Sequence, residues 1–215
     1  GRPVWLVVRI EGSRLPLAAA ALAPVLGELA AGWQQAGVRL AGIEIDHDTA
    51  SAALGDYARW LHALRPQLPA GLPLSITALP TWMDHAALPE VLAAVDGSVL
   101  QVHAIAHPRA GLFEAGRAED WVRAYAALAP HPFRVALPAY GVRVLVSDEQ
   151  VTAVDAEAAI PTTGAAGIEL RADPAHVAAL LTALSEDPPE SLAGYLWFRL
   201  PVAGDRRSWS AHTLA

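Results

Sequence analysis

Three acidic residues, Glu44, Asp46 and Asp48, stand two positions apart in the segment GIEIDHD, residues 42–48. Because side chains alternate along a strand, the three carboxyl groups share one face and the two isoleucines share the other. Neighbouring carboxylates repel one another and burial adds to the cost of ionisation, so at least one should stay protonated near neutral pH. A carboxyl group with a raised pKa suits a general acid. The segment therefore predicts a functional site with a general acid among these three residues; the alternatives are a solvated acidic strand end and a carboxylate that bonds loop N–H groups.

Polar residues near the ends of other apolar segments extend this candidate site. Gln101 and His103 share a face by strand alternation and would bind a substrate or hold a carboxylate, although a structural, buried histidine explains His103 equally well. Tyr140 precedes Gly141, which permits a sharp turn where a strand ends. The Tyr140 hydroxyl is therefore predicted to contact substrate.

Aromatic and cationic residues complete the prediction. Trp82 and Trp197 are predicted to stack on a sugar ring, because the C–H face of a sugar suits a flat π surface; packing of a loop is the alternative for Trp82. Arg199 shares a face with Trp197 and, if buried, needs a carboxylate partner, for which the acids of residues 44–48 are available. Arg9 and Glu11 share a face at the end of the first strand and are expected to join the same network, which could also be purely structural.

Other reaction classes have little support. The chain has no cysteine, which excludes disulfides, thiolate metal sites and cysteine nucleophiles. It contains no serine-hydrolase G-x-S-x-G segment and no H-E-x-x-H segment. A metal site from Asp46, Asp48 and His103 remains an alternative, but we expect neither a metal nor a cofactor.

The hydrophobic pattern alternates short apolar segments with helical ones, which is typical of βαβ units around a parallel sheet. The predicted strands are Val4–Ile10, Val38–Asp46, Leu72–Leu79, Val99–Ile105, Phe133–Leu137, Ala166–Leu170 and Leu192–Leu200, with Val142–Val146 as an edge strand or hairpin arm. The predicted helices are Leu15–Ala36, Ser51–Arg65, Leu88–Val95, Ala118–Leu128, Asp155–Ala159 and Pro174–Leu184. Because no Gly-rich phosphate loop follows a strand, a barrel is favoured over a nucleotide-binding open sheet.

Composition points to one α/β domain over residues 1–215. Hydrophobic residues make up 53% of the 215 residues and charged residues 17%, which excludes a disordered chain. The net charge is −7, and no basic patch supports nucleic-acid binding. No apolar run reaches the ~20 residues of a membrane span. The expected partner is a small-molecule or polysaccharide ligand; the oligomeric state stays open, and a targeting segment upstream of residue 1 would make this an exported protein, periplasmic or a lipoprotein.

Five segments resemble, in order, the strand motifs of a bacterial family known as domain of unknown function 3142. These segments are GIEIDHD, LSITALPTW, LQVHA, FRVALPAYG and GYLWFRLP, spread over most of the chain. Members of that family are usually longer at the N-terminus, which agrees with a chain that begins almost directly with a strand. The resemblance implies no activity.

More remotely, the same segments are similar to family 18 glycoside hydrolases, the chitinase-like barrels. Against their DGxDxDxE motif, Gly42 matches the glycine, Glu44 and Asp46 the preceding acids, and Asp48 the catalytic acid. This resemblance implies a (β/α)8 TIM-barrel-like fold without its first one or two β/α units, and a glycoside hydrolase acting on a glycan. On that hypothesis Asp48 is the general acid, Asp46 is the second catalytic acid that tunes it, and Glu44 is a substrate-binding group. The sequence departs by an aspartate in place of the catalytic glutamate and by QVHAIA where a tyrosine and an aspartate are expected. A non-catalytic carbohydrate-binding barrel is therefore the alternative.

Overall fold

The structure is a computed structural model that describes residues 1–12, 14–15, 17–103, 111–147, 150–155, 167–201 and 205–214. Its strands are β1 Val4–Ile10, β2 Leu40–His47, β3 Leu74–Ala78, β4 Gly97–Gln101, β5 Phe133–Pro138, β6 Gly141–Ser147, β7 Gln150–Asp155, β8 Gly167–Arg171 and β9 Leu192–Phe198. Its helices are α1 Ala19–Gln35, α2 Leu54–Leu64, α3 Leu88–Ala93, α4 Ala115–Leu128, α5 Pro174–Glu186 and α6 Ala211–Leu214. None of the helices in these ranges has the length and apolarity that a bilayer crossing requires.

Six strands form one sheet in the order β1-β2-β3-β4-β5-β9. Strands β1 to β4 pair in parallel, each with the next in the chain, as expected for strands joined by helical crossovers. The chain divides into two compact units. The first unit is Gly1–Leu100, Ala124–Arg134 and Ser191–Ala193; the second is Gln101–Arg123, Val135–Glu190 and Gly194–Ala215.

The core of the first unit lies between the sheet and its helices. Ile43 and Ile45 of β2 are fully buried, as are Leu54, Leu61 and Leu64 of α2. The predicted division of β2 into an apolar face and an acidic face is therefore confirmed, because the intervening residues Glu44 and Asp46 contact other polar groups. Burying one such aliphatic side chain contributes ~1.5–3 kcal/mol, which fixes the strand's register and with it the direction of the acids.

The second unit contains a separate three-stranded sheet in the order β7-β6-β8. Strand β6 pairs antiparallel with both neighbours, so the predicted segment Val142–Val146 is a hairpin arm and the central strand of this sheet. Its interpretation as an edge strand was wrong. The predicted segment Ala166–Leu170 also belongs here, as β8. Of the predicted helix Asp155–Ala159, Asp155 ends β7, and the other residues lie outside the described ranges.

Local capping explains where two helices of the second unit begin. The Asp173 carboxylate accepts a hydrogen bond from the Ala175 amide (2.8 Å), and Pro174 occupies the first turn of α5. This start was predicted from the sequence. Glu114 does the same for α4, because its carboxylate accepts bonds from the amides of Gly116 and Arg117.

Candidate functional site: a carboxylate cluster at the end of strand β2

Arg9 joins the two predicted catalytic acids into one cluster. In the parallel register of β1 and β2, Arg9 pairs with Asp46, so both side chains leave the same face of the sheet. Arg9 Nη1 donates to Asp46 Oδ1 at 2.7 Å, and Arg9 Nη2 donates to Asp48 Oδ2 at 2.5 Å. Both strands end here, so the cluster lies at the carboxyl-terminal edge of the sheet. This edge is where α/β barrels carry their binding groups.

Glu44 extends the cluster toward the interior of the same face. It is 8% exposed, and its Oε1 accepts a hydrogen bond from the Thr77 hydroxyl at 3.1 Å. Burial raises the pKa of Glu44, which the Thr77 hydrogen bond and the charge of Arg134 only partly offset. Arg134 itself stacks over the Trp5 ring at 5.8 Å. Glu44 therefore holds its proton more strongly than an ordinary glutamate does.

The environment also raises the pKa of Asp46. Its side chain is 16% exposed, and burial is the largest cause. The charge and hydrogen bond of Arg9 act in the opposite direction, while the neighbouring charge of Asp48 adds to the rise. The expectation that at least one acid of residues 44–48 resists ionisation therefore agrees with the environments of two of them, Glu44 and Asp46.

Asp48 differs from the other two acids because it lies just beyond β2 and its side chain is 43% exposed. Its Oδ2 contacts Arg9, whereas its Oδ1 is buried and has no hydrogen-bond partner among the described residues. The arrangement offers one accessible carboxyl group, one buried carboxyl group and a cation that holds both. The exposed carboxyl group can exchange a proton with a ligand, and the Arg9 guanidinium is placed to pair with the carboxylate that this exchange leaves.

Trp82 does not have the exposed face that sugar stacking requires. Its ring is fully buried, its Nε1 donates to the Thr49 carbonyl at 2.8 Å, and its centroid lies 6.0 Å from that of Tyr57. The prediction that Trp82 stacks on a sugar is therefore corrected: the ring packs a loop, as the alternative proposed. The residue fixes the loop after β2 through the Thr49 carbonyl.

The remaining predicted residues lie in the second unit. The His103 ring stacks on Phe198 at 5.3 Å and meets Tyr140 edge-on at 5.4 Å. Gln101 Nε2 donates to the His103 carbonyl at 3.1 Å. The aromatic contacts join His103 and Tyr140, and their roles toward a substrate stay predictions.

Arg199 and Trp197 have partners that the sequence did not indicate. Arg199 Nη2 donates to Asp205 at 2.9 Å and lies 6.0 Å from the Tyr140 ring centre, while Trp197 packs on Trp209 at 5.8 Å. Hydrogen bonds from Ser208 and the Arg207 amide lower the pKa of Asp205 to about 2. The spacing D-x-x-S at residues 205–208, typical of a carboxylate that accepts bonds from the following turn, was the available signal.

Metal binding gains no support. Within the described ranges, no three histidine, aspartate or glutamate residues come close enough to hold an ion. The alternative site from Asp46, Asp48 and His103 is therefore not carried forward.

Several solved structures have a fold similar to that of this chain. The spore cortex-lytic enzyme SleL of Bacillus cereus is 14% identical, with a TM-score of 0.60 over 92% of this chain and 56% of that chain. A glycoside hydrolase family 18 N-acetylglucosaminidase from Paenibacillus barengoltzii is 12% identical, with a TM-score of 0.58 over 90% and 77%. Chitinase ChiA74 from Bacillus thuringiensis is 11% identical, with a TM-score of 0.59 over 95% and 48%.

This likeness shows the fold alone. It confirms the predicted α/β, TIM-barrel-like fold in an incomplete form, since the main sheet has six strands among the described residues and a (β/α)8 barrel has eight. The chain spans about half the length of SleL, which it matches over 56%. No curated protein matches the sequence. A family model for a domain of unknown function, DUF3142, matches residues 1–203, as the strand motifs predicted. The chain therefore belongs to the DUF3142 family.

Proposed function

We propose that this chain forms part of a glycan-acting hydrolase in which Asp48 and Asp46 provide the acid chemistry. The observation that carries the proposal is the Arg9–Asp46–Asp48 cluster at the carboxyl-terminal edge of the sheet, with hydrogen bonds of 2.7 and 2.5 Å. In a barrel fold, groups at this edge face the substrate. The fold is similar to that of a spore cortex-lytic enzyme, a chitinase and an N-acetylglucosaminidase, which supports a glycan as the substrate class.

The two acids have different proposed roles because they differ in exposure. Asp48, the more exposed, is the proton donor to the leaving oxygen of the glycoside. Asp46 is the more buried, and its raised pKa makes it the partner that shares a proton with Asp48. Arg9 bonds to both carboxyl groups and so stabilises the negative charge that remains after proton transfer.

Substrate binding is assigned to Glu44 near the acids and to Gln101, His103, Tyr140, Trp197 and Arg199. The aromatic and polar character of the last five suits a sugar, because rings pack on C–H faces and hydroxyls need hydrogen-bond partners. Trp82 is not part of this proposal because stacking on a sugar needs an exposed ring face, and the buried Trp82 ring already packs on Tyr57 and donates to the Thr49 carbonyl.

The proposal is tested by hydrolysis of a panel of aryl glycosides with the full-length protein and with Asp48→Asn. We expect Asp48→Asn to lose about 100-fold or more in kcat, the usual scale for a general acid. Asp120→Asn is the matched control, since Asp120 is exposed on α4, and it should retain the original rate. Equal rates for Asp48→Asn and the original protein would remove Asp48 from its role.

A non-catalytic glycan-binding barrel is the second candidate function. The 2.5 Å ion pair favours it, because the Asp48 oxygen that contacts Arg9 is already bonded, whereas a general acid must present its proton to the substrate. This function predicts saccharide affinity without turnover for any glycoside in the panel. Affinity should fall in Trp197→Ala, whose ring is half-buried against Trp209. Measurable hydrolysis that is lost in Asp48→Asn would decide against it.

A further inference from the structure

The hydroxyl group of Thr77 on β3 lies beside the two more buried acids of β2. The register of the two strands places Ser75 opposite Glu44. Two residues further along both strands, Thr77 comes level with Asp46, and its side chain leaves the same face of the sheet. Arg9 pairs with Asp46 from β1 on the other side. Asp46 therefore lies in a row across three strands, between a guanidinium group and a hydroxyl group.

The Thr77 hydroxyl donates its proton to Glu44. The distance from Thr77 Oγ1 to Glu44 Oε1 is 3.1 Å, and both residues are 8% exposed, so water competes little for this bond. After burial, the bond has the largest effect on the pKa of Glu44, which it lowers. The same hydroxyl affects the pKa of Asp46 less than burial and Arg9 do. Because a hydroxyl carries one proton and donates to one carboxylate at a time, Thr77 acts differently on the two acids.

The other charged and titratable groups near Glu44 do not take the place of this bond. Asp46 raises the pKa of Glu44 by charge repulsion, and Arg134 of β5 lowers it less than the Thr77 bond does. Tyr57 of α2 is fully buried, and burial together with the two carboxylates raises the pKa of its hydroxyl, which therefore stays neutral. Among the described residues, Thr77 is the side chain that donates a hydrogen bond to Glu44.

We propose that Thr77 is a positioning residue of the acid site, which fixes the Glu44 carboxyl group against β3 and so reduces its competition with Asp46 and Asp48 for the proton. Its hydroxyl is buried and already bonded, so it acts through Glu44 and does not touch a substrate. For the reaction, this inference rests on the proposed function. The control of Glu44 by Thr77 is a property of the folded chain, which can be measured without turnover.

The test is carbon-13 NMR titration of the Glu44 carboxyl group in the full chain, in Thr77→Val and in Thr77→Ser. Valine keeps the branched shape of the side chain without the hydroxyl. We expect it to increase the proton affinity of Glu44 about tenfold, the scale of one hydrogen bond to a charged group. Serine keeps the hydroxyl and should retain the original titration. An unchanged Glu44 titration in Thr77→Val would overturn the inference.

Two further variants separate the hydroxyl from a general effect of substitution in β3. Ser75 is 3% exposed and lies opposite Glu44, but it is not among the groups that shift the pKa of Glu44. Ser75→Ala should therefore leave the Glu44 titration unchanged, and a shift equal to that of Thr77→Val would contradict the proposal. Thr77→Ala removes the same hydroxyl as Thr77→Val and should give the same shift, which keeps the inference testable if valine is not accommodated.

Hydrolysis of the aryl glycosides tests the consequence for the reaction. The pH optimum of kcat should move to higher pH in Thr77→Val, because Glu44 then releases its proton at higher pH, and Thr77→Ser should have the original optimum. In a Glu44→Gln background, Thr77→Val should not move the optimum, since Thr77 acts through Glu44. An optimum that does not move, or that moves equally without Glu44, would refute the positioning role. If no variant hydrolyses any glycoside, the proposed function fails, and the NMR titration still decides whether Thr77 controls Glu44.

Discussion

The carboxyl group of Glu44 makes folding stability depend on pH in a direction opposite to that of most surface acids. Burial raises its pKa in the folded chain, so the folded state binds the proton more strongly than the unfolded state. Stability from this group is therefore fully present below the unfolded pKa, ~4.3, and is lost as pH rises through the folded pKa. As the pH rises toward neutrality, ionising this buried carboxyl group therefore becomes a cost to the fold.

Replacing Glu44 with Gln should remove this cost and keep the acceptor for Thr77. We expect Glu44→Gln to raise the free energy of unfolding at pH 7 on the order of 1 kcal/mol, and the gain to disappear below about pH 4. Denaturant unfolding at a series of pH values measures both. A gain that stays constant from pH 4 to pH 7 would show that titration of Glu44 is not its origin.

Glu114 is the matched control, because the amides of Arg117 and Gly116 lower its pKa. For a lowered pKa the sign reverses: stability is present above the unfolded pKa and is lost as pH falls through the folded pKa. Glu114→Gln should therefore destabilise the chain at neutral pH and have little effect in acid, since α4 loses a charged cap. The two variants together distinguish a local titration from a general effect of removing negative charge.

Arg9 is expected to control the pKa of Asp46. Its charge and hydrogen bond lower that pKa against the larger effect of burial, so Arg9→Gln should raise it further. Carbon-13 NMR titration of the Asp46 carboxyl group measures the change directly. Arg14→Gln removes the same charge outside the cluster and should leave the Asp46 titration where it was. An unchanged titration in Arg9→Gln would mean that the 2.7 Å ion pair is not populated in solution.

Strand alternation was enough to place Glu44 and Asp46 on one face, because their direction depends only on local backbone geometry. It also brought Arg9 into the same network. The burial of Trp82 could not be predicted in this way, since a tryptophan at a loop becomes core or surface according to the side chains that meet it from α2. The Arg199–Asp205 pair could not be predicted either, because Asp205 follows β9 in the chain, whereas the expected partners of Arg199 were the acids of residues 44–48.

Gly42 determines how closely β2 can approach its neighbours. A Cβ atom there would lie 2.7 Å from the Pro73 carbonyl oxygen and would also overlap the Trp5 ring. That carbonyl is held in the sheet, where it accepts a hydrogen bond from the Ile43 amide at 2.9 Å. The glycine therefore lets the strand carrying the acids pair with β3 in its observed register.

Gly42→Ala should destabilise the chain by ~1–3 kcal/mol, the usual cost of overpacking. Gly27→Ala is the control, because Gly27 lies within α1 with nothing within 4 Å of an added Cβ, and alanine there should stabilise by ~0.5–1 kcal/mol. Trp5→Leu combined with Gly42→Ala should recover only part of the loss, since the Pro73 contact remains. Thermal unfolding of the three variants provides the measurements, and a full recovery would assign the whole effect to Trp5.

Elements were predictable to the extent that their signals are local. The capped start of α5 and the apolar faces of β2 and α2 follow from residues within each segment. Strand β7 was not predicted, because its residues, QVTAVD, carry no strong apolar alternation and form a strand by pairing with β6. The central position of β6 likewise depends on two partners that flank it only in the folded sheet.

At the scale of the whole molecule, α1 presents an apolar stripe to solvent. Val25, Leu29 and Trp33 are spaced by four residues and are 48%, 42% and 37% exposed. Strand β1, which precedes α1 in the chain, is the first strand in the sheet order. One edge of β1 therefore has no strand partner among the described residues. Exposed apolar stripes and unpaired edges both promote association between chains.

The 215-residue chain should therefore self-associate, and Leu29→Lys should reduce that association. The substitution changes the net charge from −7 to −6 and so weakens the electrostatic repulsion between copies, which by itself would increase association. A reduced association can therefore be attributed to the loss of the apolar stripe. Leu128→Lys makes the same change of charge at a leucine that is 41% exposed on α4, and it should associate as the original chain does. Sedimentation velocity over a range of concentrations measures the change. A monomer at all concentrations for the original chain would contradict the prediction, and equal reduction by both lysine variants would show that no particular surface is responsible.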